Sequence, residues 1–252
     1  MIGLGAAVFA LLALPKLAPA LTVGTFDMED FHIAGTKGPS RASSPYTQND
    51  VKELARAVRK SGAGVLALQG VEGDASMRFF IVTALPGWKF AGSDTADADD
   101  LYFLWDPGRA ALVGKVSLLK TGVPLKYQPL CARFRDPKSG EVYTLVNAHL
   151  EKSAAPAQMT ELYARAKTLT KPVILLGGCD ELTSAPPEVD LRRLENGFSY
   201  DETRSNPDFI GFIGLPHEKA GEVKETETRI RRRSTKRRER PGHDIITVEI
   251  SD

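Results

Sequence analysis

Short apolar runs of strand length recur along this chain, and polar residues follow directly after several of them. A run of this length between turn-forming residues is typical of a strand buried in a sheet. The sequence therefore predicts a sheet-rich fold whose strand ends carry polar side chains. The predicted strands cover residues 21–26, 64–68, 100–105, 128–134, 142–150, 172–176, 209–213 and 245–250.

Two segments between these runs have the spacing of amphipathic helices. In residues 48–60, apolar residues recur every three or four positions, which places them on one helix face. Asn49 or Asp50 is expected to cap the start of this helix. Residues 157–169 form the second predicted helix. Because helices and strands alternate along the chain, the predicted fold class is α/β.

Composition narrows the class of protein further. The chain has 252 residues, of which 42% are hydrophobic and 26% charged. These values are typical of globular proteins and exclude a disordered, collagen-like or multi-spanning membrane protein. Cys131 and Cys179 are too few for a disulfide-rich scaffold, and their spacing matches no zinc motif. They could pair in an oxidising compartment, but two separate buried thiols are the favoured interpretation.

The first twenty residues have the pattern of an export signal. An unbroken apolar run covers residues 2–14, which is shorter than the roughly 20 residues that a membrane-spanning helix needs. Ala18-Pro19-Ala20 then resembles a small-residue cleavage site, although no basic residue precedes the apolar run. A buried segment of the mature fold and an uncleaved anchor are the alternatives. We predict a signal peptide at residues 1–20 and a single exported domain at residues 21–252, secreted or periplasmic, monomeric and not inserted in a membrane.

Charge is unevenly distributed in the predicted mature chain. Residues 229–240 contain eight basic side chains and one acid, Glu239. The rest of residues 21–252 carries 24 basic and 31 acidic side chains, a net charge of −7. A basic cluster of this kind attracts nucleic acid and releases its counterions. A solvated loop is the other interpretation, and the cluster contains no aromatic residue for base stacking.

Six polar motifs follow predicted strands in a fixed order. They occupy residues 25–30, 68–72, 146–150, 174–180, 208–210 and 241–244. This series resembles the endonuclease/exonuclease/phosphatase superfamily, whose fold is deoxyribonuclease I-like, and the resemblance covers nearly all of the mature chain. It implies a two-sheet β-sandwich flanked by helices, with the active site at one end.

The resemblance also implies a chemistry. The family hydrolyses phosphodiesters or phosphomonoesters with a divalent ion, usually magnesium, with manganese or calcium as the alternatives. His149, His243, Asp208 and Asp180 match positions around the phosphate in the family and are the predicted catalytic residues. The family resemblance also suggests a nucleic acid or another phosphoester as partner.

Five positions depart from the family's motifs. Gly70, Gly178 and Gly242 replace carboxylates, and Asp27 and Asp180 replace asparagines. Loss of groups that merely support a metal site commonly costs 10–100-fold in affinity or activity, so we expect weak or absent hydrolysis. A rearranged metal site that uses Asp27 and Asp180 is one alternative. A non-catalytic module that binds nucleic acid or phosphate, and a phosphatase of the same superfamily, are the others.

The remaining histidines lack a motif context. His32 and His217 are therefore expected at the surface. The predicted nucleic-acid contacts are arginines of the basic segment. They are Arg231, Arg232, Arg233, Arg237 and Arg238.

The export signal can be tested by sequencing the N-terminus of the mature protein. After expression in an exporting host, the recovered protein should begin at Leu21, because signal peptidase cleaves after the small residues of Ala18-Pro19-Ala20. Soluble cytosolic protein that retains Met1 would contradict the prediction.

The basic segment can be tested by neutralising its five arginines. Nucleic-acid binding should weaken, and its salt dependence should become shallower roughly in proportion to the number of phosphates that are no longer neutralised. Binding isotherms at several salt concentrations measure both effects. If affinity and salt slope are unchanged, residues 229–240 are a solvated loop.

Overall fold

Two six-stranded β-sheets pack face to face in the computed structural model of this chain. The structure describes residues 20–33, 45–95, 100–123, 125–151, 154–179, 190–192, 208–215, 217–226 and 244–251. The strands are β1 (Leu21–Phe31), β2 (Val65–Val71), β3 (Lys89–Gly92), β4 (Asp100–Trp105), β5 (Ala111–Leu118), β6 (Leu130–Arg135), β7 (Val142–Leu150), β8 (Val173–Cys179), β9 (Asp190–Arg192), β10 (Asp208–Ile213), β11 (Ala220–Thr226) and β12 (Ile245–Ile250). The helices are α1 (Gln48–Ser61), α2 (Gly73–Ala84) and α3 (Ala155–Ala166), and His217–Lys219 forms a short 3₁₀ helix.

Each sheet contains a parallel pair of strands near its centre. The first sheet has the order β11-β12-β1-β2-β4-β3, and the second has the order β5-β6-β7-β8-β10-β9. The parallel pairs are β1 with β2 and β7 with β8. A parallel pair needs a long crossover, which α1 supplies in the first sheet and α3 in the second. The carboxyl ends of the two strands in each pair therefore lie at the same edge of their sheet.

Apolar packing arranges the elements in four layers. Between the sheets, the rings of Phe103 and Phe134 meet edge to face with centroids 5.7 Å apart. On the outer face of the first sheet, α1 and α2 bury Leu54 and Phe80. On the outer face of the second sheet, α3 buries Leu162. The α/β class and the two-sheet sandwich flanked by helices are confirmed.

Helix α1 begins at Gln48, before both of the residues that were expected to cap it. The predicted cap at Asn49 or Asp50 is wrong, because Thr47 occupies the N-cap position. The Thr47 backbone amide donates to Asp50 Oδ2 at 2.8 Å, and the Asp50 amide donates to Thr47 Oγ1 at 3.3 Å. This reciprocal capping box satisfies two amides that the helix leaves without partners. Asp50 is thus the third residue of the helix and assists the cap.

Sequence patterns did not reveal α2, β3, β5, β9 or β11. Helix α2 is apolar around much of its circumference, so it lacks the one-sided periodicity that signals a helix. Strand β5 lies at a sheet edge and is mostly exposed, which removes the alternation of buried and exposed residues. These elements are specified by their neighbours in the fold.

The two cysteines lie in the second sheet and are not joined by a disulfide. Cys179 is fully buried, whereas Cys131 is only partly buried. Burial raises the pKa of the Cys131 thiol, an effect that the positive charge of Arg133 partly opposes. The expectation of two separate thiols is confirmed, and it is Cys179 alone that is fully buried.

The predicted signal peptide ends at the margin of the described chain. Residues 1–19 lie outside the described residues, so export remains a prediction. No helix within the described ranges is long and apolar enough to cross a membrane.

Candidate active site

The ends of the parallel strands and the start of β10 bring five of the six predicted motifs together at one end of the sandwich. In the first sheet, Asp27 of β1 is level with Gln69 of β2. In the second sheet, Gly178 of β8 is level with His149 of β7 on one side and with Asp208 of β10 on the other. These five residues come from five strands, and the packing of the two sheets closes them into one cluster.

Gly178 lies at the centre of this cluster. A Cβ atom built on Gly178 would lie 3.3 Å from Asp208 Oδ1, 3.4 Å from Asp27 Oδ2 and 3.5 Å from Gln69 Oε1. Polar atoms from both sheets thus converge on the place where a side chain at position 178 would begin. The glycine leaves that position without a functional group, and its surroundings are acidic.

His149 is held between a carboxylate and an aromatic ring. Its Nε2 lies 3.7 Å from Asp27 Oδ2, the same oxygen that faces Gly178. The Tyr127 ring stacks on the imidazole, with centroids 5.0 Å apart and planes inclined by 17°. Nδ1 of His149 is buried and has no hydrogen-bond partner among the described residues. These contacts fix the ring plane and place Nε2 beside the acidic cluster.

A buried amide pair lies directly beneath the cluster. Gln69 Nε2 donates to Asn147 Oδ1 at 2.7 Å, and Thr25 Oγ1 donates to Gln69 Oε1 at 3.2 Å. Asn147 Nδ2 in turn donates to the carbonyl oxygens of Leu68 and Tyr102, each at 2.9 Å. Gln69 and Asn147 both belong to the sequence motifs, but no role was predicted for either of them. The only available signal for a role was their position in the motifs. Gln69 directly precedes Gly70, and Asn147 lies two residues before His149.

Gly70 occupies a backbone conformation that disfavours other residues. Its φ angle is 65°, and the pairing of β2 with β4 shifts register between Leu68 and Val71. An L-residue in this left-handed region costs roughly 1–2 kcal/mol. Gly70 therefore does more than omit a carboxylate, because the strand end is bulged and a glutamate there would be strained.

His32 is not at the surface, contrary to expectation. Its side chain is 13% exposed, and its Nδ1 lies 3.4 Å from Oε2 of the buried Glu72. The pair lies at the carboxyl ends of β1 and β2, where Phe31 is level with Val71. Packing of His32, the residue that follows β1, against the end of β2 buries both groups, which no sequence pattern indicated. The side chain of His217 lies outside the described residues.

Tyr102 is kept protonated by its surroundings. Burial is the main cause of its strongly raised pKa, and the negative charges of Asp74, Asp100 and Asp94 raise the pKa further. Its hydroxyl donates to Asp74 Oδ1 at 3.0 Å. The end of the first sheet therefore has a negative potential on the side of β4.

Several predicted site residues lie outside the described ranges. They are Asp180, Gly242, His243 and the arginines at positions 231, 232, 233, 237 and 238. Asp180 follows directly after β8, whose last residue is Cys179. Among the described candidates, the structure brings Asp27, His149, Gly178 and Asp208 together and places Gly70 at the adjoining end of β2.

The described donor set fits a divalent cation that arrives with a phosphate. Magnesium is commonly bound by one or two carboxylates together with phosphate oxygens. Asp27 Oδ2 and Asp208 Oδ1 both lie within 3.4 Å of the point where a Gly178 Cβ would be, so their carboxylates converge as this mode requires. Within the described ranges, no group of three or more His, Cys, Asp or Glu side chains is placed to hold a metal by itself.

Comparisons with known proteins agree with this architecture. An endonuclease/exonuclease/phosphatase structure from Bacteroides vulgatus matches with a TM-score of 0.64 at 11% identity, covering 93% of this chain and 100% of that chain. The chain has the deoxyribonuclease I-like fold. A mannosyl-6-phosphatase of Bacteroides thetaiotaomicron with this fold matches at a TM-score of 0.60 and 14% identity, covering 92% of this chain and 100% of that chain. The structure of D. rerio TDP2 complexed with a single-strand DNA product matches with a TM-score of 0.59 at 13% identity, covering 92% of this chain and 99% of that chain.

The likeness to these deoxyribonuclease I-like structures is one of fold. No family model matches the sequence, and no curated protein matches it. The fold that the six motifs implied is confirmed, whereas the roles of the individual residues rest on the geometry of this chain.

Adjacent glycines at the end of β8 should respond differently to substitution. A Cβ on Gly177 would overlap the Ala148 carbonyl oxygen and lie 2.8 Å from the Phe209 ring. A Cβ on Gly178 would meet side-chain oxygens at 3.3 Å or more. Gly177→Ala should therefore destabilise the protein by about 1–3 kcal/mol, as overpacking does. Gly178→Ala should cost less, and urea unfolding measures both. Equal losses would show that β8 does not approach β7 and β10 as described.

Proposed function

We propose that this protein is an exported, weakly active phosphodiesterase that acts on nucleic acid with the help of a divalent cation. The observation that carries the proposal is the convergence of Asp27 and Asp208 beside His149, around a glycine instead of a carboxylate. This arrangement retains groups that can bind a cation and move a proton. It lacks part of the negative charge that would bind the cation tightly.

The charge of the cluster favours a cation-dependent site over a metal-free phosphate-binding module. Asp27 and Asp208 bring two negative charges when ionised, and His149 contributes at most one positive charge. A phosphate dianion that approached these groups alone would be repelled, because like charges a few Å apart interact strongly in a partly buried site. A divalent cation reverses that balance. Phosphate binding should therefore require the cation, and cation binding should strengthen with phosphate.

The chain's own residues can take distinct parts in hydrolysis. Asp27 and Asp208 would hold the cation, which when bound neutralises phosphoryl oxygens and acidifies a nearby water. His149 can carry a proton at Nε2, which lies 3.7 Å from Asp27 Oδ2. The stacked Tyr127 ring prevents the imidazole from turning away. The buried Gln69–Asn147 pair fixes the strand ends that present these groups.

Slow hydrolysis follows from the missing carboxylates. Gly178 offers no ligand at the centre of the cluster, and Gly70 offers none at the end of β2. Loss of supporting groups at metal sites typically reduces affinity or activity by roughly 10–100-fold for each change. We therefore expect weak magnesium binding in the absence of substrate.

Nucleic acid is the proposed substrate for two reasons. The neighbours of the same fold include TDP2 with a bound single-strand DNA product. The basic segment at residues 229–240 supplies positive charge in an otherwise acidic chain. A phosphatase structure also shares the fold, so phosphomonoester hydrolysis is the alternative outcome of the assay.

Restoring one carboxylate provides the sharpest test. Gly178→Asp should increase magnesium-dependent cleavage of plasmid DNA by at least about tenfold, because a third carboxylate completes the cation site. Magnesium should also raise the melting temperature of Gly178→Asp more than that of the wild type, since ligands stabilise the state they bind. Position 178 is preferable to Gly70→Glu, which the left-handed backbone strains.

A glycine at the opposite end of the sandwich provides the matched control. A Cβ on Gly108 would likewise lie 3.3 Å from a carboxylate oxygen, that of Asp106. Gly108→Asp adds the same charge beside an existing aspartate and should leave cleavage unchanged. Each assay is run with magnesium, manganese or calcium and with a chelator, and His149→Ala should abolish activity.

Three results would overturn the proposal. Rapid metal-dependent cleavage by the wild type would favour the rearranged site that includes Asp27 and Asp180. A folded Gly178→Asp variant that binds magnesium and cleaves neither DNA nor a phosphomonoester would show that the cluster no longer supports hydrolysis. Phosphomonoester cleavage alone would identify a phosphatase.

A further inference from the structure

A cavity of about 500 Å³ opens beside the active-site cluster. Its walls come from the start of β4, the end of β5 and the connection between β5 and β6. The volume is within the range of small-molecule sites, which is about 300–1,000 Å³. Of the residues that line this cavity, the proposed hydrolysis uses only Tyr127.

Tyr127 connects the cavity to the catalytic histidine. The residue lines the cavity, and its ring stacks on His149 at 5.0 Å. His149 in turn lies 3.7 Å from Asp27. A phosphoester whose phosphate lies at the cluster can therefore extend its organic substituent past Tyr127 into the cavity. The cavity and the cluster therefore meet at this pair of rings.

The cavity wall has an apolar patch in contact with solvent. Leu118 is 49% exposed and Val123 is 44% exposed, and both line the cavity. Only one other large hydrophobic side chain within the described ranges is as exposed, Val82 on α2. Exposed apolar groups in a concave wall favour a ligand with an apolar surface, because burying both surfaces releases water.

The polar groups of the cavity suit an uncharged ligand. Asp100 is buried, and its Oδ1 accepts hydrogen bonds from the Thr95 amide at 3.0 Å and the Thr95 hydroxyl at 2.6 Å. Lys126 is the one cation among the described lining residues, and its ammonium lies 4.6 Å from the centre of the Tyr127 ring. The acidic side of β4 opposes a second phosphate. Thr121 and Gln128 offer hydroxyl and amide groups to a neutral ligand.

We infer that this cavity is a subsite for the nucleoside adjoining the scissile phosphate, with Tyr127 as the boundary between the phosphate and the nucleoside. The base would lie against Leu118 and Val123, and the sugar hydroxyls would face the polar wall. This inference rests on the proposed function, because it takes nucleic acid as the substrate class. It adds a specificity determinant, since the cavity selects for the uncharged part of the ester.

NMR of the methyl groups and the histidine rings of the full chain, recorded with three probes, tests the subsite. Thymidine alone should shift the methyl signals of Leu118 and Val123 and leave those of Val82 unchanged. Inorganic phosphate with magnesium should shift His149 signals and leave the Val123 methyls unchanged. Thymidine monophosphate with magnesium should shift both sets and bind at least roughly tenfold more tightly than phosphate, the gain expected for an added apolar contact.

Paired surface variants complete the test. Val123→Asp should remove the gain in affinity of the monophosphate over phosphate, because it places a charge in the apolar wall. Val82→Asp makes the same change on α2, where the side chain is 80% exposed, and should preserve the gain. If Val123→Asp preserves it as well, the base does not contact this wall and the inference is wrong.

The outcomes separate the subsite from the proposed function. The subsite is wrong if thymidine leaves the methyl signals of Leu118 and Val123 unshifted, or if it shifts those of Val82 equally. This holds whether or not phosphate binds. Thymidine that shifts them while phosphate and DNA show neither binding nor cleavage supports the subsite and removes the phosphodiesterase proposal. Both the subsite and the proposed function are supported if thymidine and phosphate each shift their expected signals and Val123→Asp removes the tighter binding of thymidine monophosphate.

Discussion

The hydrogen bond between the Gln69 amide and the Asn147 side-chain oxygen joins the two sheets beneath the active-site cluster. Both side chains are fully buried, and Asn147 also satisfies two backbone carbonyl oxygens of the first sheet. A buried polar group that loses its partner costs about 1–3 kcal/mol, so the sheets are held in the alignment that pairs these two amides. That alignment brings Asp27 to Gly178. Without it, the apolar residues between the sheets would favour packing but would not fix its position.

The sequence predicted best those elements whose own pattern decides their structure. β4, β7 and β12 begin and end at the predicted residues, because each is a largely buried run between turns. Helix α2 and strand β5 were missed, because one is apolar around its circumference and the other is exposed at an edge. The cap of α1 was misplaced by two or three residues, because Thr47 and Asp50 act as a pair. When several polar residues lie near a helix start, the sequence alone does not reveal which of them is the N-cap.

The candidate site was predictable in its membership more than in its geometry. The order of the motifs identified Asp27, His149, Gly178 and Asp208, which the strand registers bring together. The stacking of Tyr127 on His149 was not predictable, since it comes from the connection before β6. The left-handed backbone at Gly70 was equally inaccessible, because a glycine in sequence does not disclose its φ angle. Side-chain environments of this kind depend on which loop reaches which strand.

The contacts that build the site all join distant parts of the chain. Thr25 and Gln69 are 44 positions apart, Asn147 and Tyr102 are 45 apart, and Gln69 and Asn147 are 78 apart. Each half of the chain supplies one crossover unit, β1-α1-β2 or β7-α3-β8, and neither unit holds a complete cluster. Non-local contacts form late, since the entropy of closing long loops must be offset first. The cluster around Gly178 therefore forms only when the halves dock, and a chain that is released before docking carries its strand ends without the site.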